Sequence, residues 1–181
     1  MRIPAEIMRL VEHPDQNRAR REIEAIFFET SNTKEFESEA ARAAFLDRWL
    51  GRYMKHYADQ AFLALGEGSV VGYLVGCLDD PSMDSLFSDI SYYAAFADLT
   101  AEYPAHLHIN VTAKYRSHGI GAHLIEAFAS HAAHSNASGM HVVTGAGARN
   151  NRFYLACGFQ QLREADWNGN RIAFFGRSLV G

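Results

Sequence analysis

KYRSHGIGAHLIEAF, Lys114–Phe128, decides how this chain is read. It sets Gly119 and Gly121 one residue apart, after Arg116 and at the start of an amphipathic helix. Upstream, HLHINVT (His106–Thr112) alternates as a half-buried strand does, and downstream Gly119–His134 is predicted helical with Ile120, Leu124, Phe128 and His131 on its buried stripe. Arg116–Ala122 is therefore a strand-to-helix loop. A helix's first turn leaves backbone N–H groups without intrahelical partners, and the helix dipole adds partial positive charge there. Glycines at 119 and 121 remove the β-carbons that would keep a phosphate from those amides, and Arg116 adds a fixed positive charge. The loop reads as a phosphate or pyrophosphate cradle. The competing reading gives the glycines only a tight turn and close helix–sheet packing.

The elements around it alternate. A short strand near Ile7–Val11 precedes a predicted helix over Asn17–Thr30, with Ala19, Ile23, Ile26 and Phe27 on one face. A second helix, about Glu37–Tyr57, repeats the pattern with Phe45, Leu46, Trp49, Leu50 and Tyr53. QAFLAL and VVGYLVGCL are two strands joined at Gly66-Glu67-Gly68-Ser69, where glycines suit a hairpin turn. After the central helix come a strand at MHVVT, a short helix over Asn150–Cys157, and two strands, Phe159–Glu164 and Arg171–Gly176, flanking an Asn-Gly turn signal. No repeat or linker interrupts the series, so residues 1–181 are predicted to form one mixed α/β domain with a mostly antiparallel sheet of about six or seven strands.

Bulk properties narrow the function. Apolar residues make up 48% of the chain and charged ones 21%, which is globular. The net charge of −4 argues against a nucleic-acid surface. No apolar run approaches the roughly 20 residues that a bilayer demands, and the N-terminal MRIPAEIMRLVEHPDQ has no apolar signal core, so neither a membrane nor a secretory route is expected. Cys77 and Cys157 are far apart and without metal spacing, which suits a reducing cytoplasm. The charge is uneven: residues 1–78 sum to −2, 79–105 to −6 and 106–181 to +4. Two different partners suit those two fields.

At this point the chain resembles the GCN5-related N-acetyltransferase (GNAT) family. The family's Q/R-x-x-G-x-G/A loop stands here as Arg116-Ser-His-Gly119-Ile-Gly121, and its F/L-Y-x-x-x-G-F segment as Phe153-Tyr154-Leu-Ala-Cys-Gly158-Phe159. HLHINVTAKYRSHGIG is also similar to a subgroup that includes the acetyltransferase-like domain joined to some O-GlcNAc hydrolases. Ala113 and Ser117 stand where the family often has proline and glycine, and Gly147 where it often has asparagine, a contact that Asn150 is placed to supply.

The resemblance implies the acyl-CoA N-acyltransferase fold, acetyl-CoA as co-substrate and an amine acceptor. It implies that Ile109 and Val111 offer backbone to the pantetheine arm, that the amides of His118, Gly119, Gly121 and Ala122 take the pyrophosphate beside Arg116, and that Tyr154 is the acid meeting the departing sulfur. A phenol with pKa near 10 can supply that proton. For the base that takes the amine proton, Asp79 and His108 are the candidates. His106-x-His108 and His131-x-x-His134 each lack a third ligand, so no metal is expected.

Asp79, Asp80, Asp84, Asp89, Asp98 and Glu102, interleaved with Phe87, Tyr92, Tyr93, Phe96 and Tyr103, suggest a cationic small-molecule or peptide amine as acceptor. The alternative for this segment is an amphipathic helix with Leu86, Ile90, Tyr93 and Ala97 inward. Two other functions stay in view: a non-catalytic acyl-CoA-binding module, and an NAD-dependent oxidoreductase suggested by Gly145-x-Gly147 after a strand, against which Asn150 stands at the third glycine and too little chain follows for a βαβαβ unit. The acceptor, the acyl chain and the oligomeric state, a homodimer included, are left open by the sequence.

Overall fold

The computed structural model describes residues 5–180. Its strands are β1 Glu6–Arg9, β2 Phe62–Gly66, β3 Ser69–Cys77, β4 Ala105–Val111, β5 Gly139–Gly145, β6 Gln160–Trp167 and β7 Asn170–Ser178. They form one mostly antiparallel sheet in the order β1-β2-β3-β4-β5-β7-β6. The α-helices are α1 Gln16–Thr30, α2 Glu39–Leu46, α3 Arg52–His56, α4 Ala97–Glu102, α5 Ile120–His134 and α6 Asn151–Ala156. This is the mixed α/β class expected. The chain divides into two compact units, one running to Gly76 and adding His108–Phe128, the other joining Cys77–Leu107 to Ala129–Gly181.

In the first unit, β1, β2 and β3 pair antiparallel. The strand expected over Ile7–Val11 ends at Arg9, because Leu10–Glu12 turns into a 3₁₀ helix closed by Arg9 and Glu12. Helix α1 starts at Asp15, whose carboxylate accepts from Arg18 N, and it buries Ala19, Ile23, Ile26 and Phe27, the stripe its periodicity predicts. The helix expected over Glu37–Tyr57 forms over Glu39–His56 with one irregular turn. Helix α2 follows the Ser38 cap, passes through a π-helical turn at Asp47–Gly51 and resumes as α3. The wider turn sets Arg52 against Asp47: the Arg52 amide donates to the Asp47 carbonyl, and the buried guanidinium donates to its carboxylate at 3.1 Å.

The β2–β3 hairpin corrects the reading of its glycines. Glu67 and Gly68 occupy the turn with φ of 53° and 78°, as a two-residue type I′ loop requires. Gly66 serves packing instead, since a Cβ there would lie 2.9 Å from Cε1 of Tyr115.

In the second unit, β4 runs parallel to β5 and pairs with it only at Ala105↔Met140 and His106↔His141. β7 lies antiparallel between β5 and β6. The β6–β7 turn is the expected Asn-Gly, with Asn168 at φ 48° and Gly169 at φ 75°. Because β5 is followed by a six-residue helix and an antiparallel return, Gly145-x-Gly147 opens no βαβ unit, and the dinucleotide reading falls. Helix α5 crosses both units, burying Ile120, Leu124, Ile125 and Phe128 in the first and Ala129 and Ala132 in the second. His131, expected on that stripe, is half-exposed.

The acidic stretch before β4 is a chain of 3₁₀ turns, Ser85–Phe87 and Ser91–Phe96, ending in α4. Phe87, Ile90, Tyr92, Tyr93 and Phe96 are buried, whereas Ala97 is exposed. Phe96 packs on Phe174 at 5.3 Å and Tyr92 on Trp167 at 5.1 Å. Those rings are core, so they are not faces for a cationic acceptor. The carboxylates have local uses too: Asp80 and Asp84 accept from the Ser82 and Leu86 amides, and Asp98 pairs bidentately with Arg163 at 2.7 Å for each bond.

His141 on β5 carries a pH consequence. Its ring lies between Phe174 at 4.6 Å and His106 at 5.6 Å, with the Tyr93 ring 6.0 Å away, and its Nδ1–H donates to the Tyr103 carbonyl. Burial pushes its pKa down to about 4, against the opposing pulls of that hydrogen bond and of Asp80. Above pH 6.5 both folded and unfolded states hold the ring neutral. As pH falls from 6.5 toward 4 only the unfolded chain takes the proton, so stability is lost over that window. The expected loss is about 3 kcal/mol at most. Urea unfolding at pH 7 and pH 4.5 measures it, and His141→Asn, which keeps a donor near the Nδ1 position, is expected to show a shallower slope.

Candidate active site

The glycine loop is fastened to the first unit's β2–β3 hairpin. Thr112 donates to the Val71 carbonyl from both its amide, at 2.9 Å, and its hydroxyl, at 3.1 Å. Tyr115 is buried over Gly66 and donates to Glu67 Oε2 at 3.4 Å, while Lys114 approaches the same carboxylate at 3.6 Å. From that anchor the chain turns through Ser117 at φ 62° and Gly119 at φ 86° into α5. A Cβ built on Gly119 meets no protein atom within 4 Å. Close packing therefore does not explain that glycine; its left-handed backbone conformation does. None of the amides from Ser117 to Ala122 is used in a backbone hydrogen bond among the described residues. His118 Nδ1–H donates to the Arg116 carbonyl at 2.7 Å, which holds the peptide entering this turn.

Ser117 stands in a conformation that disfavours a β-carbon by about 1–2 kcal/mol. Ser117→Gly relieves that crowding and frees the unfolded chain, for an expected net gain of about 1 kcal/mol. Thermal unfolding of the two proteins checks it.

In the second unit, the tyrosine motif forms the C-terminal cap of α6. Phe159 N donates to Tyr154 O and Gly158 N to Leu155 O, both at 3.1 Å, with Gly158 at φ 83°. That is a Schellman motif, and its accompanying apolar contact is the pair of Tyr154 and Phe159 rings, 5.7 Å apart. The spacing from Tyr154 to Gly158-Phe159 is thus set by one hydrogen-bonded turn. Tyr154 also packs on Phe175 at 6.1 Å. Burial, with a smaller contribution from Cys157, pushes its phenol well above the ordinary value, so it stays protonated. No described residue hydrogen-bonds its hydroxyl.

The sequence profile of the Acetyltransferase (GNAT) family matches residues 18–159. The chain belongs to that family. Its fold is similar to that of the crystal structure of SsHAT, at 20% identity and TM-score 0.72 over 98% of this chain and 99% of that one. PH1933 from Pyrococcus horikoshii OT3 has 17% identity and TM-score 0.69 over 97% and 98% of the two chains. A chain of the NatC complex, solved with Gag peptide and CoA, has 13% identity and TM-score 0.61 over 99% and 100%. No curated protein matches.

The remaining candidates of this acetyltransferase distribute as follows. Ile109 and Val111 lie on β4 in the first unit, both half-exposed, as do Gly121 and Ala122 in the first turn of α5. His108, also on β4, sits edge-on to Trp49 at 5.5 Å and to Tyr53 at 5.3 Å. Asn110 donates to the buried Tyr73 hydroxyl at 2.8 Å. Asp79 is exposed in the bend after β3. Asn150, in the second unit, accepts from Thr144 Oγ1 at 3.1 Å with its amide oxygen. Asn151, not singled out by the sequence reading, is buried and donates to the Gly145 carbonyl at 3.1 Å, tying α6 to the end of β5. An asparagine opening a short helix gave no signal separating it from Asn150. Among the described residues no group of histidines, cysteines and carboxylates is arranged to hold a metal.

Proposed function

We propose that the chain, acting as one domain, transfers the acetyl group of acetyl-CoA to an amine in a ternary complex. The observation that carries this reading is the run of unused amides over Ser117–Ala122, opening onto space at Gly119 in a family of acetyltransferases. A pyrophosphate suits that donor set, and the net +4 of residues 106–181 suits the anionic nucleotide end. CoA bound in the NatC complex supports the same assignment. His118, Gly119, Gly121 and Ala122 would hold the phosphates, while the backbone of Ile109 and Val111 would orient the arm that carries the thioester.

The acetyl group arrives activated by its thioester, and the chain's own residues manage protons. His108 is our assignment for the base, because it lies on the strand that presents Ile109 and Val111, with Trp49 and Tyr53 edge-on to its ring. Asp79, in open solvent, is the weaker of the two candidates. Tyr154 donates its phenolic proton to the departing sulfur; burial keeps that proton on the ring until then. As acceptor we assign a cationic amine, on a small molecule or a peptide. Exposed Asp79 supports the charge, Asp98 being neutralised by Arg163, and the peptide in the NatC complex supports the class.

The test is thermal stabilisation by acetyl-CoA, CoA and NAD in parallel, followed by acetylation of a panel of amines. A ligand at 100 times its Kd adds about 2.7 kcal/mol to the folded state. A shift with the CoA species and not with NAD, and acetyl transfer to a cationic amine, are expected. No shift with CoA would overturn the cofactor assignment, and tight binding without transfer to any amine would favour a binding module.

A further inference from the structure

We propose that Arg116 is a placeholder: its guanidinium, which holds the Val111 carbonyl, yields it to an amide of the bound cofactor. Arg116 Nε donates to that carbonyl at 2.9 Å. Thr112, the next residue, turns its amide to Val71 on β3. In an extended strand successive residues point their backbone groups to opposite sides, so those of Val111 point away from β3. On that side β4 is paired with β5 only as far as His106. The Val111 carbonyl therefore ends an unpaired strand edge, which an extended ligand bearing amides can complete. Pantetheine is such a ligand.

Arg116 is exposed, and no carboxylate among the described residues pairs with it. The amides that follow it in the chain, Ser117 to Ala122, are the ones open to an anion. An incoming arm that takes the carbonyl releases the guanidinium beside the place where the phosphates arrive, and a guanidinium binds phosphate more strongly than it binds a neutral carbonyl. One side chain then opposes one part of the cofactor and favours another.

This rests on the acetyl-CoA reading, and opposite signs make it testable. Binding of CoA and of pantetheine, which lacks every phosphate, is measured by titration for the wild type, Arg116→Met and Arg116→Lys. Arg116→Met is expected to weaken CoA about tenfold and to strengthen pantetheine about threefold to tenfold, because the carbonyl is free. Arg116→Lys, which keeps the charge without the Nε geometry, is expected to retain most CoA affinity while still gaining for pantetheine. A merely structural role would weaken both ligands, and a purely electrostatic one would leave pantetheine unchanged. Either result overturns the proposal, as does pantetheine binding undetectable in every form. Failure of the wild type to bind CoA instead overturns the acetyl-CoA reading itself.

Discussion

Tyr154→Phe is expected to lower kcat by about 10²–10⁴-fold while leaving CoA affinity within about twofold. The substitution keeps the ring and so keeps the contacts with Phe159 and Phe175 and the hydrogen-bonded cap of α6. It removes one hydroxyl, which no described residue holds, so the folded state loses no internal hydrogen bond. A loss confined to kcat is the signature of an interaction made only in the transition state. The pH profile adds a second check. Because burial raises the phenol's pKa, the protonated form persists beyond pH 10, and the wild-type rate should not decline through Tyr154 ionisation between pH 7 and 10. Steady-state kinetics with CoA titration in parallel decide the matter. An unchanged kcat would assign Tyr154 to packing alone.

Gly119→Val is expected to weaken CoA binding by about 100-fold, equivalent to one or two charge-assisted hydrogen bonds. Its direct effect is not a clash within the protein, since a Cβ at this position meets no atom within 4 Å. The effect comes from the side chain filling the space before the amides of α5, and from a φ of 86° that a β-branched residue resists. The backbone strain alone should cost about 1–2 kcal/mol of stability. Calorimetric titration and thermal unfolding of the same variant separate the two. Loss of stability with CoA affinity intact would mean that the glycine serves only its turn.

Much of this arrangement was legible because it is local. The stripe of Ala19, Ile23, Ile26 and Phe27, the Asn168-Gly169 turn and the strand–loop–helix order around Gly119 depend on residues within four or five positions of one another. The same holds for Tyr154 and Gly158-Phe159, whose spacing is that of a Schellman motif. Hydrogen bonds and side-chain neighbours at those separations repeat along the sequence, so a pattern can report them. The π-turn at Asp47–Gly51 is local as well, yet it was missed, because one inserted residue barely disturbs an apolar period.

By itself the sequence determined the fold class, the order of the elements and the two motifs that mark this family, all properties of neighbouring residues. Only the tertiary structure decided why Gly66 must be glycine, since Tyr115, which crowds it, lies 49 residues later. It also decided that Phe87, Tyr92, Tyr93 and Phe96 are core, and that Asp98 belongs to Arg163, 65 residues away. His106 meets His141 only because β4 pairs with β5 at that register. The physical reason is common to all of these: contacts between distant segments are selected by the register and packing of the assembled sheet, which no single stretch of the chain contains.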